Sequence, residues 1–369
     1  MKKFAMLLSL LLAFSLLAGC AGTVVVVNEC TCPGDHGTAT PTTPVTTDPA
    51  PTTPTVPVAG DGALRTGLAI VATADGSNAA LADTEGNAKF DATVAAVTLD
   101  ENGVIVACVI DGLGATVTFN AEGALTSDIT AAPLTKNELG ADYGMVTWGG
   151  AVAEWDQQVK ALCDFAVGKT VEELKNGAVD QSGYAPDGSD LATSATIYLG
   201  GYVAAIEKAA LSAKSLGAKN GDSLRIATVN SLASSIAATE DADGAAQLDM
   251  SVTAITVDEA GVVTSCIIDE LSAKLTFNPE DGYTTDPTSI FLTKSELGAD
   301  YGMVAWGGAK TEWNEQAAAF AAYVTGKTAS EIAGIAISES TKPADGSDLA
   351  TSVTISIGGF QNLLAKALG

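Results

Sequence analysis

The chain has 369 residues, of which 44 are acidic and 18 basic, giving a formal net charge of −26 at neutral pH. Such a charge repels phosphate backbones, which excludes nucleic acid as an expected partner. At 47% hydrophobic residues the chain can form a core, and its length suggests two or three domains. The single histidine, His36, precedes the predicted folded part. A histidine-based metal site or a Ser-His-Asp triad is therefore not expected there.

The N-terminus has the pattern of an export signal. Two lysines precede an apolar stretch that ends in small residues. The residues Leu17-Ala18-Gly19-Cys20 resemble the bacterial lipobox. That resemblance implies a lipoprotein signal peptide at residues 1–19 and a lipid anchor on Cys20, at the extracytoplasmic face of the cell membrane. The alternative is an ordinary secretory signal with an incidental cysteine.

Residues 20–60 are predicted to be a disordered tether rich in threonine and proline. This composition cannot pack a core and favours extended polyproline II. At about 3.1 Å per residue the tether could span on the order of 120 Å. Cys30 and Cys32 lie within it, too close in sequence to form an easy disulfide with each other.

From about residue 66 the sequence repeats itself at an offset of 158 residues. The stretch TKNELGADYGMVTWGG begins at residue 135, and TKSELGADYGMVAWGG begins at residue 293. Copies of this length predict tandem domains rather than a solenoid. We place the domains at residues 61–216 and 217–369, with the boundary near Ser215–Asp222.

Each copy has the same predicted elements. An apolar stretch is followed by two strand-like runs that flank an acidic turn, Asp100-Glu101-Asn102-Gly103 in the first copy. A third short strand, ATVTFN or AKLTFN, is predicted next, and then a helical half. Its helix starts are marked by the capping boxes at Thr135, Thr170, Thr293 and Thr328. The predicted fold class is α+β, with a small antiparallel sheet packed with helices in each domain.

Two further motifs have structural interpretations. Cys108 and Cys266 occupy matching positions in apolar runs, which favours buried small hydrophobic residues, whereas Cys163 has no counterpart. Gly168-Lys169-Thr170 suggests a phosphate loop, but the glycine that such a loop needs is replaced by Cys163.

A hydroxyl-rich turn occurs in both copies, as DGSDLATSATIYLGG from residue 187 and DGSDLATSVTISIGG from residue 345. It precedes a predicted helix, and a threonine at a helix start lies beside free N–H groups that can bind a phosphate. An ordinary helix cap would explain one hydroxyl residue of this turn. It would not explain three hydroxyl residues in four positions, found twice.

The pattern from Asp190 through Ser194 and Ala195 to Thr196 resembles the flavinylation motif of the FMN-binding domain family. In the second copy the matching residues are Asp348, Ser352, Val353 and Thr354. The resemblance implies that a flavin transferase links FMN through its phosphate to Thr196 and Thr354, and that it reads Asp190 and Asp348. Ser194 and Ser352 replace the usual glycine. Val353 replaces the usual alanine, and its β-branch is expected to crowd the transferase.

The flavin ring also needs a surface to stack on. Aromatic residues are the candidates, although packing between helix and sheet is the alternative. These candidates are Tyr143, Trp148 and Trp155 in the first copy and Tyr301, Trp306 and Trp313 in the second. The Gly149-Gly150 and Gly307-Gly308 pairs would either allow a close backbone approach or end a strand.

Together these features resemble the surface lipoproteins of extracellular electron transfer in Gram-positive bacteria. The resemblance implies a non-enzymatic carrier with two covalent FMN groups. Electrons would come from a membrane quinone pool or NADH dehydrogenase and pass to ferric iron or free flavin. One alternative is a solute-binding or adhesive lipoprotein without a cofactor. Another is a hydrolase acting at the cell wall, for which no constellation of carboxylates is recognisable.

Overall fold

The structure is a computed structural model, and it describes residues 63–369. The predicted signal peptide, Cys20 and the predicted tether lie outside the described residues. The described residues all fall in one unit, Val56–Gly369. They form two antiparallel sheets of four strands each, packed with helices. The predicted α+β class is therefore confirmed.

The two halves of the chain have similar element orders. The first half contains β1 (Ala63–Thr73), β2 (Gly86–Leu99), β3 (Ile105–Phe119), α1 (Lys136–Leu139), α2 (Trp155–Ala166), α3 (Val171–Ala178), α4 (Asp190–Ser194) and α5 (Gly200–Ser212). The second half contains β4 (Lys214–Lys219), β5 (Ser223–Ser231), β6 (Gly244–Val257), β7 (Val263–Asn278), β8 (Gly282–Tyr283), α6 (Lys294–Leu297), α7 (Trp313–Val324), α8 (Ala329–Ala333) and α9 (Gly358–Leu368).

The predicted hairpin around the acidic turn is present, because β2 and β3 pair on either side of residues 100–104. The predicted third strand is wrong as a separate element, since ATVTF is the end of the long strand β3. Gly112 and Gly114 do not interrupt that strand, because both remain paired with β2. In the second half, β7 likewise runs without a break into AKLTFN.

The four predicted capping boxes are confirmed. In each one the threonine side chain accepts a hydrogen bond from the N–H three residues later, and the glutamate at that position bonds back to the threonine N–H. Such reciprocal bonds satisfy two backbone donors that a helix start otherwise leaves free. They explain why α1, α3, α6 and α8 begin where the sequence indicates.

The strands of the first sheet have the order β3-β2-β1-β4, and those of the second have the order β5-β6-β7-β8. Strand β4 follows α5 in sequence and leads into β5, yet it pairs with β1 of the first sheet. The boundary predicted between residues 216 and 217 therefore falls inside a strand that joins the second half to the first.

Three apolar clusters form the core. The central cluster contains side chains from one face of β1–β3 and from one face of β5–β7, so the two sheets pack face to face. The opposite face of the first sheet packs against α2, α3 and α5. The opposite face of the second sheet packs against α7 and α9. Helices thus cover both outer faces of a two-sheet stack.

The contacts between the halves repeat as if related by a two-fold axis. Phe119 and Phe277, which are equivalent at the offset of 158, stack on each other with ring centroids 3.8 Å apart. Lys208 pairs with Glu296 at 2.7 Å, and its equivalent Lys366 pairs with Glu138 at 2.5 Å. A self-complementary interface of this kind is what two-fold symmetry produces.

Candidate functional site

The hydroxyl-rich turn of the first half lies on the surface beside α2. The helix α4 is capped by Ser189, whose side chain accepts a hydrogen bond from the Ala192 N–H. Thr193 donates its hydroxyl to the Asp190 carbonyl at 2.7 Å, so this hydroxyl is used locally. Thr196 follows in extended chain, with its side chain exposed, and its neighbour Ala195 is buried.

A buried amide fixes the position of Thr196. The Gln158 side-chain oxygen accepts bonds from the N–H groups of Thr196 at 2.8 Å and Ile197 at 3.2 Å. It also accepts the Thr196 hydroxyl at 3.3 Å. The Gln158 amide nitrogen donates to the Ala153 carbonyl at 2.8 Å. One side chain therefore ties the turn to the first turn of α2.

The helix-start placement predicted for Thr196 is wrong. Thr196 lies beyond the end of α4 and four residues before α5, so it belongs to neither helix. The reason is that Asp190–Ser194 forms a short helix of its own, after which Gln158 binds the extended chain. The helix to which Thr196 is hydrogen-bonded is α2, through Gln158 in its first turn, and α2 comes earlier in the sequence.

The second half repeats this geometry. Gln316 is fully buried and accepts the N–H groups of Thr354 at 2.8 Å and Ile355 at 3.2 Å, together with the Thr354 hydroxyl at 3.1 Å. Thr354 is exposed. Val353 has 1% of its side chain exposed and packs in the core. Its β-branch therefore faces away from the surface that a modifying enzyme would meet, contrary to the expected crowding.

Sequence reasoning missed Gln158 and Gln316. Both occupy buried positions on amphipathic helices, next to Trp155 and Trp313 respectively. A glutamine at a core-facing position in both copies was the available signal, because a buried amide needs hydrogen-bond partners. The remaining motif residues, Asp190, Asp348, Ser194 and Ser352, are all exposed.

The loop that precedes α2 presents an exposed indole. Trp148 is 85% exposed, and its ring lies against Gly144, where an added Cβ would come within 2.2 Å. The buried carboxylate of Glu154 holds this loop by accepting the N–H groups of Met145 and Val146. The Gly149-Gly150 pair belongs to the same turn rather than to a strand end.

The second half has the same loop. Trp306 is 88% exposed over Gly302, and the Glu312 carboxylate accepts the N–H groups of Met303 and Val304. Gly307-Gly308 also lies in the turn. In both halves the aromatic loop and the threonine segment are thus attached to the first turn of the same helix. Trp148 and Trp306 remain candidates for stacking on a flat ring.

The other aromatic candidates either are buried in the core or lie against a lysine. Trp155 and Trp313 are buried in the core between helix and sheet, which is the alternative considered for the aromatic candidates, and they offer no surface to an external ring. Tyr143 lies over the Lys136 ammonium, which also contacts Trp155. Tyr301 and Trp313 flank Lys294 in the same way. One face of each tyrosine is therefore used by a lysine.

An aromatic pair near Thr196 distinguishes the two halves. Tyr184 and Tyr198 meet edge to face with ring centroids 5.7 Å apart, and 53% of Tyr198 is exposed. Tyr198 is two residues after Thr196. The equivalent positions in the second half are Lys342 and Ser356. Sequence reasoning missed this pair, because the tyrosines lie 14 residues apart and only the fold brings them together.

The exposed hydroxyls of Thr196 and Thr354 fit a group joined through a phosphoester, because such a group can extend into solvent without displacing a core residue. Esterification would remove one hydroxyl proton and the hydrogen bond it makes to the glutamine. The two backbone N–H bonds to the same glutamine would remain.

Comparison of the chain with family models, with curated proteins and with solved structures gives no match. Among residues 63–369 there is no helix long and apolar enough to cross a membrane. In the same part of the chain, no group of three or more His, Cys, Asp or Glu residues is arranged to hold a metal ion.

Proposed function

We propose that the protein is an electron-transfer flavoprotein that carries FMN on Thr196 and Thr354, outside the cytoplasm and anchored through Cys20. In this proposal the two halves are tandem copies of one FMN-binding-like domain. The donor is a membrane quinone pool or NADH dehydrogenase, and the acceptor is ferric iron or free flavin.

The observation that carries the proposal is the repeated geometry of these two threonines. In each half the threonine is exposed, and its backbone N–H donates to the side chain of a buried glutamine. The other threonine of the motif is Thr193 in the first half and Thr351 in the second, and its hydroxyl donates to the backbone carbonyl three residues earlier. A turn that served only to cap a helix would not require a buried amide to present the hydroxyl that follows it.

During maturation the threonine would act as the nucleophile. The Thr196 hydroxyl oxygen attacks the flavin-side phosphorus of FAD, the bond to the AMP half breaks, and the hydroxyl proton passes to a base of the transferase. Gln158 keeps the nucleophile in place through the N–H bonds that do not change. When attached, FMN supplies the redox chemistry, while the protein positions it.

The position of the sites in the fold favours two separate carriers. α2 covers the outer face of the first sheet, and α7 covers the outer face of the second. Stacked sheets lie about 10 Å apart, and a helical layer is added on each side. Each site would therefore exchange electrons with external partners on its own side of the molecule.

The proposal is tested by co-expression with a flavin transferase and measurement of the intact mass. We expect two adducts, each with the mass of FMN less one water. Thr196→Ala and Thr354→Ala should each remove one adduct. The matched controls are Thr130→Ala and Thr288→Ala, which remove equivalent exposed hydroxyls outside the motif and should leave both adducts in place.

A colourless chain of unmodified mass, obtained with a transferase that modifies another substrate in the same cells, would exclude this function. It would leave a solute-binding or adhesive role. The electron-transfer part is checked separately by absorbance, since the bound flavin should bleach with a reduced quinone and recover its colour with ferric iron.

A further inference from the structure

The two sheets differ at one edge, although their strands otherwise correspond. In the first sheet, β4 lies along the outer edge of β1, with Lys214 opposite Thr66 and Ser215 opposite Arg65. In the second sheet, β5 takes the place of β1, and within residues 63–369 no strand lies on its outer edge. An open edge presents unpaired N–H and C=O groups that favour the addition of a strand.

Beyond the end of β4, a side chain is hydrogen-bonded to the outer edge of β1. The Ser212 hydroxyl accepts the Leu68 N–H at 3.2 Å and donates to the Leu68 carbonyl at 2.9 Å. On β5, Ile226 is equivalent to Leu68, and among the described residues no side chain bonds its outward N–H. Lys366 does reach the Thr228 carbonyl at 2.7 Å, as the equivalent Lys208 reaches Ile70. The outer edge of β5 is therefore bonded at the Thr228 carbonyl, whereas the nearby N–H of Ile226 has no partner among the described residues.

A cavity of about 450 Å³ lies along this edge. β5 forms one wall with Leu224, Arg225 and Ile226, and β3 contributes Val109 and Asp111 to the opposite wall. The equivalent place in the first half lies between β1 and β7, and β4 occupies it. There Ala218 is fully buried, and the Gly217 backbone comes close to the Thr264 carbonyl.

The chain supplies a segment of the right length and direction. Strand β4 has six residues and leads directly into β5. At the offset of 158 the equivalent residues are 56–61, which read VPVAGD and lead directly into β1. The same symmetry that places β4 on β1 therefore points to residues 56–61 as the occupant of the β5 edge.

We propose that residues 56–61 dock as an antiparallel edge strand on β5, with Val56 opposite Leu224 and Pro57 opposite Ser223. A proline is accepted on an edge strand, where its missing N–H can face solvent. Gly60 is the counterpart of the buried Ala218 and has no side chain to clash. It would also provide the bulge that Gly217 makes in β4, because Ala59 at the equivalent position disfavours the left-handed backbone that Gly217 adopts.

This docking fixes where the N-terminal segment leaves the folded unit. In this arrangement the chain would enter the folded unit at residue 56, beside β5, instead of at the start of β1. The inference does not depend on the flavin assignment, since it rests on strand pairing alone.

Hydrogen–deuterium exchange of the full chain in detergent tests the proposal. We expect slow exchange in residues 56–61 and at the outward amide of Leu224. Val58→Pro, which removes an N–H from the docked strand, should accelerate exchange at this β5 amide by at least about tenfold. The matched control is Val45→Pro, which changes another Pro-Val pair closer to the N-terminus and should leave the exchange rates of β5 unchanged.

The proposal is overturned if residues 56–61 exchange as fast as residues 41–55 in the unsubstituted chain. It is also overturned if Val58→Pro leaves the Leu224 amide as slow as before. A protected Leu224 amide beside an unprotected segment would show a different occupant. Dependence of that protection on protein concentration would then identify a second copy of the chain.

Discussion

At the residue scale, Gln158 and Gln316 are buried amides, and each connects a threonine segment to the start of a long helix. Each amide oxygen serves two backbone N–H groups, and each amide nitrogen donates to a carbonyl that precedes the helix. The N–H groups that they bind are only partly buried, so the loss of one glutamine amide should cost about 1–3 kcal/mol for the pair of N–H groups together. These glutamines therefore contribute to stability as well as to the placement of Thr196 and Thr354.

Gln158→Met tests that dual role, because methionine has a similar length but forms no such hydrogen bonds. The free energy of unfolding should fall by about 1–3 kcal/mol in urea titrations, since the N–H groups of Thr196 and Ile197 are left unpaired. In the co-expression assay, flavin loading at Thr196 should slow while loading at Thr354 is retained.

The control for this substitution is Gln181→Met, which makes the same change at an exposed position and should leave both measurements unchanged. An undiminished free energy of unfolding in Gln158→Met would show that water or another group replaces the amide.

The thiol of Cys266 offers a second test at this scale. It is buried on β7, and burial raises its pKa to about 12. At pH 8 only about one such thiol in ten thousand is ionised. Iodoacetamide should therefore leave Cys266 unmodified in the native protein and modify it fully in urea, as measured by peptide mass. Equal labelling in both states would contradict the described burial.

The proximity of Cys108 and Cys163 was not predicted from the sequence. They are far apart in sequence, but the packing of α2 on β3 brings them into one cluster. The neighbouring Cys163 thiol, together with burial, raises the pKa of Cys108. Cys266 was correctly predicted to be a buried small residue, and Cys108 is partly buried. The meeting of Cys108 with Cys163 could not be predicted, because it depends on which face of the sheet the helix covers.

At the element scale, the short helices α1 and α6 link the two halves. Their glutamates, Glu138 and Glu296, complete the capping boxes and also pair with lysines of the opposite half. Burial opposes ionisation of Glu138, but the hydrogen bond and charge of Lys366 prevail and place its pKa below the usual value. Lys208 has the same effect on the pKa of Glu296.

These shifts predict a loss of stability in acid. A carboxylate whose pKa is lowered on folding stabilises the protein above its unfolded pKa, near 4.3, and loses that effect as the pH falls through the folded value. The double variant Glu138→Gln with Glu296→Gln keeps the caps but removes the charges. At pH 7 it should be less stable by about 1 kcal/mol, because the pairs are partly exposed.

The difference between the double variant and the unsubstituted chain should shrink as the pH falls from 5 to 3 in urea titrations. Asp111 and Asp269 act in the opposite sense, because burial raises their pKa values. Asp269 is unaffected by the substitutions and cancels in the comparison. The charge of Glu138 is a lesser cause of the raised pKa of Asp111, so the double variant also removes that part of the shift. The matched control is Glu122→Gln, at an exposed position without a lysine partner among residues 63–369. A constant difference at every pH would rule out the ion pairs as its source.

Local sequence signals at this scale were reliable where the decisive interactions are local. The capping boxes and the turn between β2 and β3 depend on residues within five positions of one another, and all were predicted. The separate third strand was wrong, because the long strand β3 continues through it. Gly112 and Gly114 stay extended in β3 since their backbones pair with β2, which is a non-local interaction.

At the scale of the whole molecule, the central apolar cluster belongs to both halves. Leu68, Phe90 and Val94 of the first half and Leu248, Val252 and Leu275 of the second lie in the same buried set. Each sheet thus has its inner face packed mainly on the other sheet. Strand β4 adds a further link, because it pairs with β1 while leading into β5.

A single half is therefore expected to associate when it is produced alone. Residues 63–216 would expose the inner face of the first sheet, and apolar patches of that size promote association. Size-exclusion chromatography should show dimers or aggregates of this half, and a hydrophobic dye should bind it more strongly than it binds the full chain, which serves as the reference. A stable monomeric half without dye binding would show that the halves are independent domains.

The sequence by itself determined the α+β class, the repeat, the four helix starts marked by capping boxes and the existence of the hydroxyl-rich turn. Each of these depends on periodicity, on capping residues a few positions apart, or on comparison of one half with the other. Only the tertiary structure decided that Thr196 is held by Gln158, that Trp155 is core while Trp148 is exposed, and that the sheets share one core. Those facts arise from contacts between residues distant in sequence, where packing and burial select one partner among many that the local pattern allows.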